Sequence, residues 1–233
     1  MSKTHEEQTA MVLCGVTLVP QIEGALFWPA QSTLFVADLH FEKGSSFARK
    51  GVMLPPYDTR ETLRRLEGVM DRLSPARVVC LGDSFHDLRA GERMDPQDMQ
   101  TLHGLIARTQ WIWISGNHDP APPEEFDGER VVLWEQGPLI CRHEPTPSPA
   151  PGELSGHLHP CAVTRIRGRR FRRPCFLSTG SRAILPSFGA YTGGLNVCDP
   201  AFEPIVGAAP FHAWMLSKTR VIPVAHTRLH PDR

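Results

Sequence analysis

The sequence of 233 residues predicts a layered α/β fold. Three observations lead to this prediction. Between residues 33 and 115, apolar runs alternate with two segments of helical spacing, which is typical of strands joined by crossover helices. Beyond Val131 the pattern changes to short apolar runs separated by proline and glycine, which predicts a second, mostly antiparallel sheet without a clear helix. Polar residues able to bind metal follow several of the apolar runs, where strand ends of one sheet converge.

The first half of the chain is predicted element by element. Short strands are predicted at Val12–Val19, Ala25–Trp28 and Thr33–Ala37, because proline and glycine punctuate this region. Residues 41–56 contain two glycines and two prolines and predict a long loop. The polar segment 1–10 is expected to be disordered.

Two helices and two strands are predicted next. The first helix spans Asp58 to Leu73, with Asp58 or Thr59 as its cap. The second helix begins at Asp95-Pro96, with aspartate as N-cap and proline at the first helical position, and ends near Arg108. The strands are Val78–Leu81 and Trp111–Ser115. No internal repeat or linker is evident, so residues 1–233 are expected to form one domain.

Composition excludes several functional classes. The formal net charge is +0 and the pI about 7.2, which excludes a globally basic nucleic-acid binder. The six cysteines form no Cys-x-x-Cys pair, which excludes zinc-finger and thioredoxin-like sites. The N-terminus lacks the pattern of a signal peptide, and no apolar run is long enough to span a membrane. The simplest expectation is therefore a cytoplasmic protein with no membrane association.

Five short motifs carry the candidate chemistry. They are Asp38-Leu39-His40, Gly82-Asp83, Gly116-Asn117-His118-Asp119, the single His143, and Gly156-His157-Leu158-His159. Each motif alone is compatible with an ordinary turn, because glycine, asparagine and aspartate favour turns. Together they offer carboxylate, imidazole and amide donors, which suit divalent ions. Two such ions can hold a phosphoryl group and generate hydroxide. Asp83 is the candidate bridge between them, because Gly82 allows a close backbone approach.

The order of these motifs resembles the calcineurin-like metallophosphoesterase superfamily, over roughly residues 30–200. Segments 37–44, 54–59, 82–87 and 186–194 also resemble one bacterial branch of it. That branch is a phosphoesterase associated with a DNA ligase and a DEXH-box helicase, described as a DNA-damage-response endonuclease or phosphodiesterase. The resemblance implies a four-layer α/β/β/α sandwich, in which two facing mixed sheets are flanked by helices and carry the metals at one edge.

The resemblance also implies specific roles for the motif residues. The first metal would take Asp38, His40, Asp83 and His159, and the second would take Asp83, Asn117, His143 and His157. His118 would assist the leaving oxygen while a metal-activated hydroxide attacks phosphorus. Manganese is favoured, and iron, zinc and cobalt also suit these donors.

Other residues keep two interpretations each. Arg142 either binds a phosphate or is a surface arginine, and Asp119 either orients His118 or caps a turn. His86 and Asp87 either support the metal ligands, line the substrate path or lie on the surface. The arginine-rich segment Thr164–Arg173, with Gly168 at a hairpin tip, either binds nucleic acid through residues such as Arg167, Arg169 and Arg170 or is a solvated turn. Phe188 and Tyr191 either stack on bases or belong to the core.

The predicted function is a two-metal phosphodiester hydrolase that acts on single-stranded or damaged DNA. Two alternatives remain at this point. One is a phosphatase or pyrophosphatase for a small, nucleotide-like molecule. The other is a non-catalytic binding scaffold, which is disfavoured because many desolvated polar groups would be retained without a metal.

Overall fold

The computed structural model of the chain describes residues 10–54, 57–120 and 122–232. The disorder expected for residues 1–10 therefore lies outside the described residues, apart from Ala10. The helices are α1 Lys43–Arg49, α2 Asp58–Leu73, α3 Pro96–Ile106 and α4 Glu203–Val206. The strands are β1 Met11–Leu13, β2 Val16–Pro20, β3 Leu26–Trp28, β4 Thr33–Val36, β5 Arg77–Cys80, β6 Gln110–Ile114, β7 Glu129–Val131, β8 Trp134–Gln136, β9 Leu139–Cys141, β10 Glu153–Ser155, β11 Pro160–Ile166, β12 Arg169–Ser178, β13 Ala183–Ile184, β14 Leu195–Asn196, β15 His212–Leu216 and β16 Val221–Ala225.

The first sheet contains seven strands in the order β1-β2-β3-β4-β5-β6-β7. Strands β1 to β4 pair antiparallel, whereas β4, β5, β6 and β7 run parallel to their neighbours. Helices α2 and α3 are the crossovers between the parallel strands. The predicted alternation of strands and helices in this half is confirmed.

The central strands of this sheet are buried on both faces. In β4, Leu34 and Val36 pack beneath the helices with Leu66, while Phe35 faces the second sheet. Strands β5 and β6 alternate in the same way. Burial on both faces explains why these strands are continuous apolar runs rather than alternating ones. It also explains the buried position of Cys80 within β5.

The second sheet runs β14-β11-β12-β13-β10-β9-β8, and β15 and β16 extend it from β12. Its inner face contributes residues such as Leu154 and Phe176 to the core between the sheets. Its outer face is covered by α4 and the turn Pro200–Phe202. The sheet is mixed, because β10 pairs parallel with β9 and β13, and β11 pairs parallel with β14. The expectation of two facing mixed sheets with flanking helices is confirmed. The expectation of a mostly antiparallel second sheet is also confirmed, since five of its eight strand pairs are antiparallel.

Several local predictions need correction. Segment Val12–Val19 is two strands, because Cys14 and Gly15 form a turn with positive φ. The predicted loop 41–56 contains helix α1, and the second half contains the short helix α4. The side chain of Asp95 accepts a hydrogen bond from the Gln97 amide, as predicted for an N-cap.

The two residues predicted to cap α2 bind the backbone at the start of α1 instead. Asp58 Oδ2 accepts the Gly44 amide at 2.8 Å, and Thr59 Oγ1 accepts the Glu42 amide at 2.8 Å. Both side chains therefore hold α1 against α2 instead of capping α2. None of the helices in the described ranges has the length and apolar character needed to cross a membrane.

Candidate metal centre

The motif residues converge on one rim of the sandwich. This rim lies at the carboxyl ends of β4, β5 and β6 in the first sheet and of β9 and β10 in the second. Asp38, Asp83 and Asn117 follow β4, β5 and β6, which are neighbouring parallel strands. Backbone hydrogen bonds extend this alignment beyond the strands, from the Asp38 amide to Gly82 O at 3.2 Å and from the His40 amide to Asp83 O at 2.9 Å. The second sheet supplies His143 after β9, and His157 and His159 between β10 and β11.

Five of these residues have left-handed backbone conformations. The φ angles of Asp38, His40, Asp83, His157 and His159 lie between 46° and 70°. Residues with a Cβ adopt this region at a cost of roughly 1–2 kcal/mol each. Such strain is retained where it aims side chains at a functional point, and here all five side chains are metal donors.

Two glycines allow the strand ends to approach each other. A Cβ on Gly82 would lie 2.5 Å from the ring of His143, and a Cβ on Gly116 would overlap Asp83. These contacts explain why glycine precedes Asp83 and Asn117. Glycine at positions 82 and 116 is therefore required for packing at the rim, whereas the residues that follow supply the metal donors.

The first candidate metal group contains Asp38, His40 and His159. His159 Nε2 lies 3.2 Å from Asp38 Oδ1, and His40 Nε2 lies 3.4 Å from His159 Nε2. Asp38 and His40 are buried and His159 is half-buried. Asp38 also accepts the backbone amide of His157 at 3.0 Å, which ties the first sheet to the second.

The second group contains Asp83, His143 and His157, and Asn117 joins it. His143 Nε2 lies 3.4 Å from Asp83 Oδ2. Asn117 Oδ1 lies 2.9 Å from His143 Nε2 and 3.0 Å from His157 Nδ1. His143 donates its Nδ1 proton to Leu81 O at 2.9 Å, which leaves Nε2 available as a ligand.

Both groups fit divalent cations. Within each group the donor atoms lie within 4.8 Å of one another, and all of them are nitrogen or oxygen. Every donor that sequence analysis assigned to a metal lies at this rim. Asp83 belongs to the second group, and its negative charge also acts on His40 of the first. Its bridging role stays a prediction.

The pKa values of these residues depend on one another. Burial and the neighbouring His159 lower the pKa of His40 to about 2. Burial alone would lower the pKa of His143, but its hydrogen bond to Asp83 and the charge of Asp38 raise it to about 9. Burial alone would raise the pKa of Asp83, but its contact with His143 lowers it to about 2. At neutral pH the Asp83 carboxylate is therefore ionised and His143 is protonated, so a metal ion that binds His143 Nε2 must displace its proton.

His118 lies beside the metal groups without belonging to either. Its backbone amide donates to Asp83 Oδ1 at 2.9 Å. Its Nδ1 lies 3.0 Å from the carbonyl of His86, and since a carbonyl only accepts, Nδ1 carries the proton. Nε2 is the remaining nitrogen and lies 3.9 Å from Asp83 Oδ2. The side chain is 40% exposed, so a substrate can reach it.

His86 and Asp87 lie next to His118, not at a distant surface. The rings of His86 and His118 stack with centroids 5.0 Å apart, and burial lowers the pKa of His86 to about 4. Arg93 forms a bidentate ion pair with Asp87, with nitrogen–oxygen distances of 2.9 Å to Oδ1 and 2.8 Å to Oδ2. His86 therefore supports His118, and the negative charge of Asp87 is offset by Arg93.

Asp119 follows neither of its two sequence interpretations. Its Oδ2 accepts the backbone amide of Phe85 at 3.0 Å, and the side chain is fully buried. The ring of His118 is held by the His86 carbonyl instead. Burial raises the pKa of Asp119 to about 7. Asp119 thus fixes the loop that carries Asp83.

Arg142 lies near the rim but faces an acidic partner. Its Nε is 3.4 Å from Glu153 Oε2, and Glu153 also pairs with the buried Arg182. The carboxylate of Glu153 therefore offsets part of the positive charge with which Arg142 would bind a phosphate. Phosphate binding by Arg142 stays a prediction.

The arginine-rich segment is a hairpin, as predicted. Ile166 pairs with Arg169, so Arg167 and Gly168 form a two-residue turn with φ angles of 50° and 76°. Arg170 and Arg172 lie 3.1 and 3.0 Å from Asp232 Oδ1. The turn lies eight residues beyond His159 along an extended strand, which places it roughly 25 Å from the metal groups.

A groove beside His118 was missed by sequence reasoning. It encloses about 640 Å³ and is lined by Ser46, Arg49, Lys50, His86, Asp87, Leu88, Arg89, Asn117 and His118. Two of its basic residues lie at the end of α1, where the sequence predicted a loop. The basic pair Arg49-Lys50, close in sequence to Asp38-Leu39-His40, was the available signal. Of the two candidate aromatics, Phe188 is in the core and Tyr191 is exposed.

Comparisons with known proteins agree with this geometry. The sequence model described as calcineurin-like phosphoesterase matches residues 32–174, more than half of the chain. The crystal structure of Pseudomonas putida nuclease MPE is similar with a TM-score of 0.69 and 29% identity, covering 92% of this chain and 98% of that one. YfcE, a phosphoesterase from E. coli, aligns with a TM-score of 0.39 and 15% identity over 83% of this chain and 98% of its own, too weakly to support an argument. No curated protein matches the sequence. The family match, together with a rim that gathers both metal groups, shows that the chain belongs to the calcineurin-like phosphoesterase family and is a phosphoesterase hydrolase.

Proposed function

We propose that this protein is a two-metal phosphodiester hydrolase whose substrate is DNA, single-stranded or damaged. The observation that carries the proposal is the pair of adjacent metal-binding groups with the accessible His118 beside them. Similarity to a nuclease over 92% of the chain supports nucleic acid as the substrate class. A role in DNA repair, in functional association with a DNA ligase and a DEXH-box helicase, belongs to the same proposal.

The residues that would hold the metals are those of the two groups. Asp38, His40 and His159 would hold one ion, Asn117, His143 and His157 would hold the other, and Asp83 would bridge them. When bound, a pair of divalent ions supplies Lewis-acid stabilisation of the phosphoryl oxygens and a nucleophile at neutral pH. Manganese is the proposed ion, as the family resemblance implies, and iron, zinc and cobalt also suit this nitrogen and oxygen set without sulfur.

His118 would act on the leaving oxygen. Because Nδ1 donates to the His86 carbonyl, Nε2 is the atom that faces the substrate. A protonated Nε2 can donate to the departing oxygen, and the fixed ring orientation removes the cost of finding that geometry. Asp83, whose carboxylate accepts the His118 amide, links the position of this ring to the metal groups.

A small-molecule phosphatase or pyrophosphatase is the second candidate. It is favoured by the net charge of +0 and by a groove of about 640 Å³, a size typical of small-ligand sites. A non-catalytic scaffold is disfavoured, because it would retain buried Asp38, His40, Asp83 and His143 at a desolvation cost without a use. We also propose a cytoplasmic location, supported by the presence of all six cysteines as free thiols.

The test compares three substrates with the manganese-loaded protein. These are a single-stranded oligonucleotide, the same strand in a duplex, and a nucleoside monophosphate. We expect internal cleavage of the single strand, and the variant Asp38→Asn/His159→Ala should abolish it. Hydrolysis confined to the monophosphate would reject the DNA proposal and favour the small-molecule candidate.

A further inference from the structure

We propose that the groove beside His118 binds the leaving-group side of a single-stranded nucleic acid, with Arg49, Lys50 and Arg89 holding the next phosphate along the strand. This inference rests on the proposed function and deepens it. It assigns a substrate subsite on the leaving-group side of the scissile phosphate.

The position of the groove supports the assignment. Its floor includes Asn117, a candidate metal ligand, and His118, whose Nε2 faces the substrate. A strand with its scissile phosphate at the metal groups and its leaving oxygen at His118 would continue into this space. Its volume of about 640 Å³ lies within the range of roughly 300–1,000 Å³ common for ligand sites.

The charges of the groove favour an anion. Arg49, Lys50 and Arg89 line it and are exposed. The one carboxylate in the lining, Asp87, is bound by Arg93 through two contacts. Within the part of the chain that the structure describes, no ion pair involves Arg49, Lys50 or Arg89. These three cationic side chains line the same groove as His118 and Asn117, where they favour an anionic ligand.

The groove also offers apolar surface for a sugar or base. Leu88 is 65% exposed at its edge, although large apolar side chains are commonly buried. The stacked rings of His86 and His118 form a second flat surface nearby. Basic side chains interleaved with flat or apolar ones are typical of sites for single-stranded nucleic acid.

Hydrogen bonds within the protein hold the walls of the groove in place. Arg93 connects its two walls, since it donates to Ser45 of α1 at 3.0 Å while holding Asp87. The Gly44–Asp58 hydrogen bond fixes α1 to α2. A preorganised site avoids part of the entropy cost of binding. The hairpin at Arg167 is a weaker candidate for this subsite, because it lies roughly 25 Å from the metal groups.

Dinucleotide substrates provide the test. We would measure kcat/KM for the diester TpT and for the same diester with an additional phosphate at its 5′ end or at its 3′ end. One of the two terminal phosphates should raise kcat/KM by about tenfold or more, as expected for one charge-assisted contact. The end that produces the gain identifies the leaving side.

Variants separate this inference from the proposed function. In Arg49→Ser/Arg89→Ser the gain should disappear, while metal content and hydrolysis of bis(4-nitrophenyl) phosphate stay unchanged. The control Lys218→Ser/Arg220→Ser removes the same charge from the exposed β15–β16 turn and should keep the gain. A gain that survives in the groove variant, or a wild-type protein indifferent to both terminal phosphates, overturns the subsite. A wild-type protein that cleaves no diester of TpT type but hydrolyses monoesters rejects the proposed function itself.

Discussion

Two hydrogen bonds fix the position of His118. Its backbone amide donates to Asp83, and the Nδ1 of its imidazole donates to the His86 carbonyl. Neither bond uses Nε2, which is the nitrogen next to the metal groups. A residue held in this way positions one nitrogen for proton transfer without occupying a metal site. The distinction between ligand and proton donor, which rests on sequence resemblance, can therefore be tested directly.

His118→Ala should retain both metal ions and reduce DNA cleavage by roughly 10²–10⁴-fold, the usual contribution of general acid catalysis. The reduction should be smaller on bis(4-nitrophenyl) phosphate, because its leaving group needs less protonation. Metal analysis and steady-state kinetics on the two substrates provide the measurement. His212→Ala, at an exposed position of β15, serves as control. Loss of metal from His118→Ala would show that this histidine is a ligand.

At the scale of elements, α1 depends on its neighbours more than on its own sequence. It has seven residues, includes Gly44, and begins after Glu42, whose φ is 65°. The bond from the Gly44 amide to Asp58 replaces a normal side-chain cap. Helices this short are not stable in isolation, so tertiary contacts must hold α1 in place.

Asp58→Ala should lower the free energy of unfolding by about 1–3 kcal/mol, because it leaves the Gly44 amide without its acceptor. Asp71→Ala is the matched control on the same helix: this aspartate is 59% exposed and pairs with Arg108 at the surface. Its loss should cost less than about 1 kcal/mol. Urea denaturation compares the two variants, and equal losses would mean that the Asp58 contact does not anchor α1.

The hairpin of β11 and β12 has arginines of two kinds. Arg170 and Arg172 share Asp232, whereas Arg167 and Arg169 are exposed at the turn. If the hairpin binds DNA, Arg167 and Arg169, which form no ion pair with any residue that the structure describes, should contribute more phosphate contacts than Arg170 and Arg172.

Arg167→Ser/Arg169→Ser should reduce the log–log salt slope of single-strand binding by roughly 0.7 for each lost contact. Arg170→Ser/Arg172→Ser, with the same change in charge, should reduce it less. Cleavage of bis(4-nitrophenyl) phosphate should be unchanged in both. Titrations at several salt concentrations measure the slopes. Unaltered affinity and slope in both variants would make the hairpin a solvated turn.

At the scale of the whole molecule, the predictable parts of the structure are those with a local signal. Strands β4, β5 and β6 are apolar on both faces because helices cover one side and the second sheet the other. Asp95-Pro96 marks the start of α3 through its cap. The metal donors were identifiable because they follow strand ends in a fixed order.

The parts that were not predicted depend on distant partners. Helix α1 has no apolar stripe and relies on Asp58 and Thr59 of α2. The parallel pairs of the second sheet join strands that are far apart in sequence. The basic groove needs α1 and the loop after β5 to meet, and Asp119 reaches Phe85 across 34 residues. Such long-range contacts leave no periodic pattern in one sequence.

We propose that the two donor groups on the rim form one binuclear centre bridged by Asp83. Elemental analysis of the protein saturated with manganese tests it most directly. We expect two ions per chain. In Asp83→Asn we expect reduced occupancy of both sites, because the shared carboxylate offsets the repulsion between the ions. A stoichiometry that remains at one ion per chain under saturating manganese would show that the rim does not hold a binuclear centre.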